Sequence, residues 1–278
     1  MKRILVPCDF SETAIQAYVF AMNLAARTKA DLYVLKVIEM PYIYEAPFGF
    51  TQYFVDPGII LNVEADARRS FEKLKERHDR KEGVTFRTFQ GSVTGTIRNF
   101  IQENEIDMVV MGTRGASGWE EYFIGSNTEK IVRFSPVPVI AVRKSQELSR
   151  IKNIVFPTTL NLDQFDLVNR IKELQTLFGA MIHLLLINTP ANMMRTKDEM
   201  EMMEDYALHY KFKDYSLNTR NDFYEQDGII NFTHEIKADM IAMGTHGRRG
   251  LAHLFMGSVT EDVVNHIDCP IWTYSIRK

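Results

Sequence analysis

Apolar positions in this chain switch between two spacings, and the switching recurs. Ile4–Val6 is a short continuous apolar run, as expected of a strand buried on both faces. Beyond Ser11 the apolar residues fall three and four apart over roughly 12–28, which predicts one face of a helix with Ser11 as its N-cap. DLYVLKVIE (31–39) is rich in branched residues and predicts a strand. A charged amphipathic stretch predicts a helix over roughly 62–80, and VTFRTF (84–89) a strand. A helix near 94–103 leads into the strand DMVVMG (107–112), a last helix starts near Asn127, and the strand PVIAVR (138–143) closes the series. The series then begins again with the strands NIVF, MIHLLLIN, YSLNT, DMIAMG and IWTYS.

The recurrence is written in residues as well as in pattern. Asp107–Pro138 aligns without a gap on Asp239–Pro270, and fourteen positions are identical. They include Met111, Gly112, Thr113, Gly115, Gly125, Ser126, Thr128 and Glu129 of the first stretch. The openings match too: KRILVPCDF stands over KNIVFPTTL, with Pro7 over Pro157. A longer segment after the second strand of the first copy accounts for the change of offset between the two alignments. The chain therefore reads as a tandem duplication, with one domain over 1–145, a short polar link (SQELSR), and a second domain over 150–278.

Strands alternating with helices imply α/β domains: two tandem open, mostly parallel five-stranded sheets with helices on both faces. In such sheets ligands bind beyond the carboxyl ends of the strands, where the winding direction reverses.

Composition narrows the setting. Hydrophobic residues make up 45% of the 278 positions and charged residues 25%, the balance of a soluble globular chain. A net charge of -3 gives no electrostatic reason to expect nucleic acid or an anionic membrane as partner. Two cysteines, Cys8 and Cys269, are too few for a disulfide framework, so a reduced, cytoplasmic location is expected. The first residues, MKRILVPCDF, are too short in apolar character for a signal peptide, and nowhere is there an apolar run long enough to span a bilayer.

The strand DMVVMG ends in Gly112-Thr-Arg114-Gly115, and nine residues later Gly125-Ser126-Asn127-Thr128 opens a helix. The second copy keeps this spacing, with Gly244-Thr-His246-Gly247 followed by Gly257-Ser258-Val259-Thr260. Glycines let a turn leave a strand with positive φ and bring backbone N–H groups close to an anion. The unpaired N–H groups and positive dipole at the helix start complete a phosphate site, to which Ser126 and Thr128 would add hydroxyl donors. The same letters also spell a ligand-free arrangement: Ser126 with Glu129, and Ser258 with Glu261, form a capping box. Repetition of the spacing in both copies favours a functional origin.

On Val6-Pro7-Cys8-Asp9, Leu35-Lys36-Val37 and the Gly-2x-Gly-9x-Gly-Ser/Thr motif, the chain resembles the universal stress protein family, once per copy. The resemblance implies a Rossmann-like, nucleotide-binding α-hydrolase-like fold, and pairing of 138–143 with 270–275 within the chain as an internal pseudo-dimer, compatible with a further homodimer. It also implies an adenine nucleotide, ATP or a relative such as AMP, with a magnesium ion held through the phosphates. It places Asp9 at the ribose and adenine end and Val37 against adenine. Met111, Gly112, Arg114, Gly115, Gly125, Ser126, Asn127 and Thr128 fall around the ribose and phosphates. The corresponding weaker set is Thr159, Ile187, Gly244, His246, Gly247, Gly257, Ser258, Val259 and Thr260.

The copies are not equivalent. Thr159 lacks the charged acceptor that Asp9 offers. His246, Arg248 and Arg249 are basic where the first loop carries Glu120 and Glu121. The first copy is expected to be the working site. No P-loop lysine, Ser-His-Asp spacing or metal-ligand spacing is present, so no catalytic residue is assigned, and the expected activity is binding with at most slow ATP hydrolysis.

Three other features carry bland readings beside sharper ones. The aromatic segment Pro41–Pro57 is a loop packing its own rings, or a lid or docking surface. The Met-rich segment Asn192–Tyr210 is an amphipathic helix facing the core, or an adaptable surface. Cys8 is a small buried residue, its thiol disfavoured as a nucleophile by Asp9. The function expected is an ATP-binding sensor or switch in a stress response; the alternative is an interaction module that docks a client through its duplicated surface.

Overall fold

In a computed structural model of the chain, residues 1–39, 57–78, 83–113, 125–191, 196–246 and 257–276 are described. The first half runs β1 (Arg3–Pro7), α1 (Glu12–Thr28), β2 (Asp31–Ile38), α2 (Pro57–Arg77), β3 (Val84–Gln90), α3 (Val93–Glu103), β4 (Met108–Gly112), α4 (Ser126–Phe134) and β5 (Val139–Val142). After a 3-10 turn at Leu148–Arg150 the order repeats as β6 (Asn153–Pro157), α5 (Phe165–Phe178), β7 (Met181–Asn188), α6 (Thr196–His209), β8 (Tyr215–Asn221), α7 (Glu225–Glu235), β9 (Met240–His246), α8 (Gly257–His266) and β10 (Ile271–Ile276).

Local chemistry explains the boundaries. Ser11 caps α1 by accepting from the Ala14 N–H, and the helix buries Ala14, Ala17, Tyr18, Ala21, Leu24 and Ala25, one stripe at helical spacing. It stops at Lys29, which takes the left-handed conformation at φ 56. In the second half Gly179 occupies the same place at φ 60, the cheaper residue for that backbone. Helix α2 starts at Pro57, earlier than the charge pattern predicts. A proline at the first helical position gives up no intrahelical hydrogen bond and presets φ.

The strands form one ten-stranded sheet in the order β3-β2-β1-β4-β5-β10-β9-β6-β7-β8. Within each half the pairing is parallel, and the halves meet at the antiparallel pair β5–β10, where Ala141, Ile140 and Val139 face Ile271, Trp272 and Thr273. This is the junction expected of 138–143 and 270–275, so the two five-stranded sheets are continuous.

The core is layered on that sheet. On one face a single apolar cluster spans both halves, joining Tyr18, Phe20 and Leu24 of α1 to Ile140, Trp272, and Leu167 and Ile171 of α5. On the other face each half keeps its own cluster, one under α3 and α4 and one under α7 and α8. Trp272 is the largest fully buried side chain; burial of a large apolar side chain is worth about 1.5–3 kcal/mol. No helix among the described residues is long and apolar enough to cross a membrane.

Candidate functional site

In the first half the strand order reverses between β1 and β4: β2 and β3 lie to one side, β5 to the other. At the carboxyl ends of these strands is a cavity of about 130 Å³ whose walls include Asp9, Val37, Met111, Gly112, Gly125, Ser126, Asn127 and Thr128. Eight sequence-predicted residues from four separate segments thus share one wall. Arg114 and Gly115 lie outside the described residues, as do Glu120 and Glu121. The described walls are therefore the strand and helix side of the site.

Asp9 and Gly112 are held by specific contacts. The Asp9 carboxylate accepts from the Ser11 N–H at 3.0 Å and from the Ser11 hydroxyl at 2.6 Å through Oδ1, which fixes its direction. Between them Phe10 adopts φ 68, and its counterpart Leu160 adopts φ 58. Left-handed backbone in bulky residues is uncommon, and here both halves carry it at the turn after the first strand. Gly112 is required by close approach: a Cβ there would stand 2.7 Å from the Thr13 carbonyl carbon and 2.8 Å from the Ala14 nitrogen, both backbone atoms of α1. The first turn of α1 and the end of β4 are thereby pressed together beside Asp9.

Helix α4 does not use the predicted capping box. Gly125 is its N-cap and no side chain caps it, while Ser126 is the first helical residue and exposed. The Ser126 hydroxyl is thus not spent on the helix end. Thr128 differs from expectation in the opposite sense. Its hydroxyl donates to the Gly112 carbonyl at 2.8 Å in a buried bond, so its proton ties α4 to β4 rather than serving a phosphate oxygen.

Two wall residues carry chemistry not singled out in the sequence. Lys36 lines the cavity, its ammonium 5.9 Å from the centre of the Phe10 ring. Val93, the first residue of α3, faces the Val37 side. Alternation along β2 sends Lys36 and Val37 to opposite sheet faces, and only the position of the cavity at the strand end brings both to it. Cys8 is buried, and burial first, then the Asp9 charge, pushes its thiol up to about 12, as expected of a core residue. Both cysteines are free thiols.

The second half holds its own cavity at the equivalent place, about 220 Å³ in volume, with Thr159, Ile187, Gly244, Val259 and Thr260 in its walls. His246 ends β9, Gly257 and Ser258 open α8, and Gly247, Arg248 and Arg249 lie outside the described residues. Helix α5 starts only at Phe165, three residues after the position matching Glu12. The freed segment is held instead by the Tyr210 hydroxyl, which accepts from the Gln164 N–H and donates to the Leu162 carbonyl. The backbone contact that crowds Gly112 is replaced at Gly244 by two side-chain ends, Leu167 and Ile276.

His183 lies within β7, bonded to Ser216 and Asn153, and burial lowers its pKa. Of the methionines in α6, Met203 is fully buried while Met202 is exposed and borders the second cavity; Met193, Met194 and the aromatic segment 41–56 lie outside the described residues. Among the described residues no group of three or more His, Cys, Asp or Glu is placed to hold a metal ion.

Comparison with known proteins agrees with the topology. The model of the universal stress protein family matches residues 1–143 and 224–275. A universal stress protein of Methanocaldococcus jannaschii is 26% identical over 149 residues, covering 52% of this chain and 84% of the relative. One from Synechocystis is 19% identical over 298 residues, covering 99% of this chain and 100% of the relative. The crystal structure of a universal stress protein from Archaeoglobus fulgidus superimposes with a TM-score of 0.72 at 16% identity, covering 98% of both chains.

Proposed function

The chain belongs to the universal stress protein family, and on that premise we propose that its first half binds an adenine nucleotide, ATP, as a sensor or switch. The observation that carries the proposal is the cavity at the β1/β4 reversal, which gathers Asp9, Val37, Met111, Gly112, Gly125, Ser126, Asn127 and Thr128. In this reading Val37 and Val93 hold the flat face of the base. The Asp9 carboxylate, fixed by Ser11, accepts from the ribose hydroxyls, a charge-assisted bond worth about 1.5–3 kcal/mol. The uncapped start of α4, with Ser126 and Asn127, faces the phosphates, and Lys36 supplies the one positive charge among the described wall residues. Magnesium would be held through the phosphate oxygens, with Arg114 and Gly115 completing the wall.

Asp9 is the one carboxylate among the described wall residues, and Ser11 and the ribose engage it, so in this reading the nucleotide is retained rather than rapidly turned over. The units that fold about the two cavities are assigned to 1–145 and 150–278. Pairing of β5 with β10 supplies internally the contact that two single-domain chains would make between them. Two free thiols fit a cytoplasmic home.

The test is calorimetric titration with ATP and Mg²⁺ of wild-type protein and of the double variants Gly125→Val/Ser126→Ala and Gly257→Val/Ser258→Ala. Loss of binding only in the first variant supports the assignment. Loss only in the second keeps the function and moves it to the other half. Absence of heat with the wild-type protein, together with no co-purified nucleotide, removes the nucleotide reading and leaves client docking.

A further inference from the structure

The two cavities occupy equivalent places, yet their walls differ in kind. Where the first has Lys36 the second has Leu186; Val259 replaces Asn127, and Thr159 replaces Asp9. Lys36, Asn127 and Asp9, which would favour a phosphate or a ribose in the first wall, are thus matched by apolar or uncharged side chains in the second. The opposite exchange occurs at Val93, whose counterpart at the first position of α7 is Glu225. Glu225 is the only ionisable side chain among the described residues of this wall.

Among the described residues it has no counter-charge. Glu225 is half-buried and has no hydrogen-bond or ion-pair partner among the described residues. Burial pushes its carboxyl above the usual range. It stands on the β7 side of the cavity, where α7 presses so closely that a Cβ at Gly228 would lie 2.8 Å from the Ile187 side chain. In the sheet β6 separates β7 from β9, so Glu225 and the strand leading into the glycine turn flank the cavity from different sides. The remaining wall is largely Leu160, Leu186, Ile229 and Met243.

A half-buried carboxylate in an apolar wall repels phosphate and attracts a cation that shares its burial. We propose that the second cavity is a separate binding site for a small amphiphilic amine, its apolar body against Leu186 and Ile229 and its ammonium on Glu225. The described walls enclose about 220 Å³, room for a body of about one ring system. The site is independent of nucleotide binding in the first half, and the two readings stand or fall separately.

Tryptamine and indole-3-propionate present the same ring with opposite charge, and serve as probes by calorimetry on the full chain at neutral pH. The expected result is one saturable tryptamine site per chain, with indole-3-propionate at least tenfold weaker. Glu225→Gln should lose at least tenfold in tryptamine affinity, and Glu225→Lys should reverse the preference between the probes. Asp9→Ala and saturating ATP should leave tryptamine binding unchanged, whatever they do at the first cavity. Equal affinity for the two probes, an unchanged affinity in Glu225→Gln, displacement of tryptamine by ATP, or no saturable binding at millimolar tryptamine would each overturn the proposal.

Discussion

Replacement of Gly112 by alanine distinguishes the two halves more sharply than any change to a polar group. The new Cβ would meet three backbone atoms of α1, at 2.7 Å from the Thr13 carbon and 2.8 Å from the Thr13 oxygen and the Ala14 nitrogen. Backbone of a capped helix cannot turn aside as a rotamer can, so the first turn of α1 must move away from β4. Overpacking of this kind costs about 1–3 kcal/mol, and rigid backbone on the far side places Gly112→Ala in the upper half of that range. At Gly244 the same substitution meets the Leu167 Cδ2 at 2.7 Å and the Ile276 Cδ1 at 3.0 Å, the ends of side chains that can rotate. Its expected cost is below about 1.5 kcal/mol. Urea denaturation followed by tryptophan fluorescence and far-UV circular dichroism reads the difference, as does the melting temperature, at about 2–4 °C per kcal/mol for a chain of this order of size. Because α1 also carries Ser11, which orients Asp9, Gly112→Ala should weaken ATP binding as well. Equal stability losses in the two variants, or a stable Gly112→Ala protein with wild-type ATP affinity, would refute the argument.

Three further outcomes follow from the same geometry. Asp9→Ala should lower ATP affinity by roughly 10- to 100-fold, the value of one charge-assisted hydrogen bond, with little change in stability; calorimetry and a melt on the same sample separate the two effects. Thr128→Val should cost about 1–3 kcal/mol by leaving the buried Gly112 carbonyl without its donor, and Thr128→Ser should recover most of it, as read by urea denaturation. Cys8 should resist alkylation at pH 8 in the folded protein. Since its folded pKa of about 12 lies above the ordinary thiol value of 9.0, its contribution to stability is complete below pH 9 and is lost as pH rises from about 9 to 12; a stability profile that stays flat over that window for the wild type, relative to Cys8→Ala, contradicts this.

The parts of this molecule that follow from local pattern are the parts legible in its sequence. The period-two and period-3.6 segments match the strands and helices, and the residues around the repeated glycine spacing are ones that β1, β2, β4 and α4 bring to one cavity. Ser11 was readable as a cap because its bond is local. The start of α4 was misread for a related reason: Ser126 and Glu129 have capping-box spacing, but Gly125 takes the cap position and moves Ser126 into the helix. The Thr128 hydroxyl bonds a carbonyl sixteen residues away across the fold, and no local rule registers that. Lys36 was hidden by strand alternation. The left-handed turns at Phe10 and Leu160 were hidden because neither residue type announces positive φ. Glu225 carries no signal in the sequence, because a glutamate at a helix start ordinarily does no more than offset the dipole; its place in a cavity wall depends on the closure of β7, α7 and β9.

The central claim is that duplication has left one nucleotide site, in the first half. Equilibrium dialysis against labelled ATP with Mg²⁺, counting nucleotide bound per chain at saturation, tests it most directly. The account predicts one ATP per chain for wild-type protein and for Thr159→Ala, with binding lost or severely weakened in Asp9→Ala. Two equivalent ATP molecules per chain, or one that survives Asp9→Ala and is lost in Thr159→Ala, would contradict it.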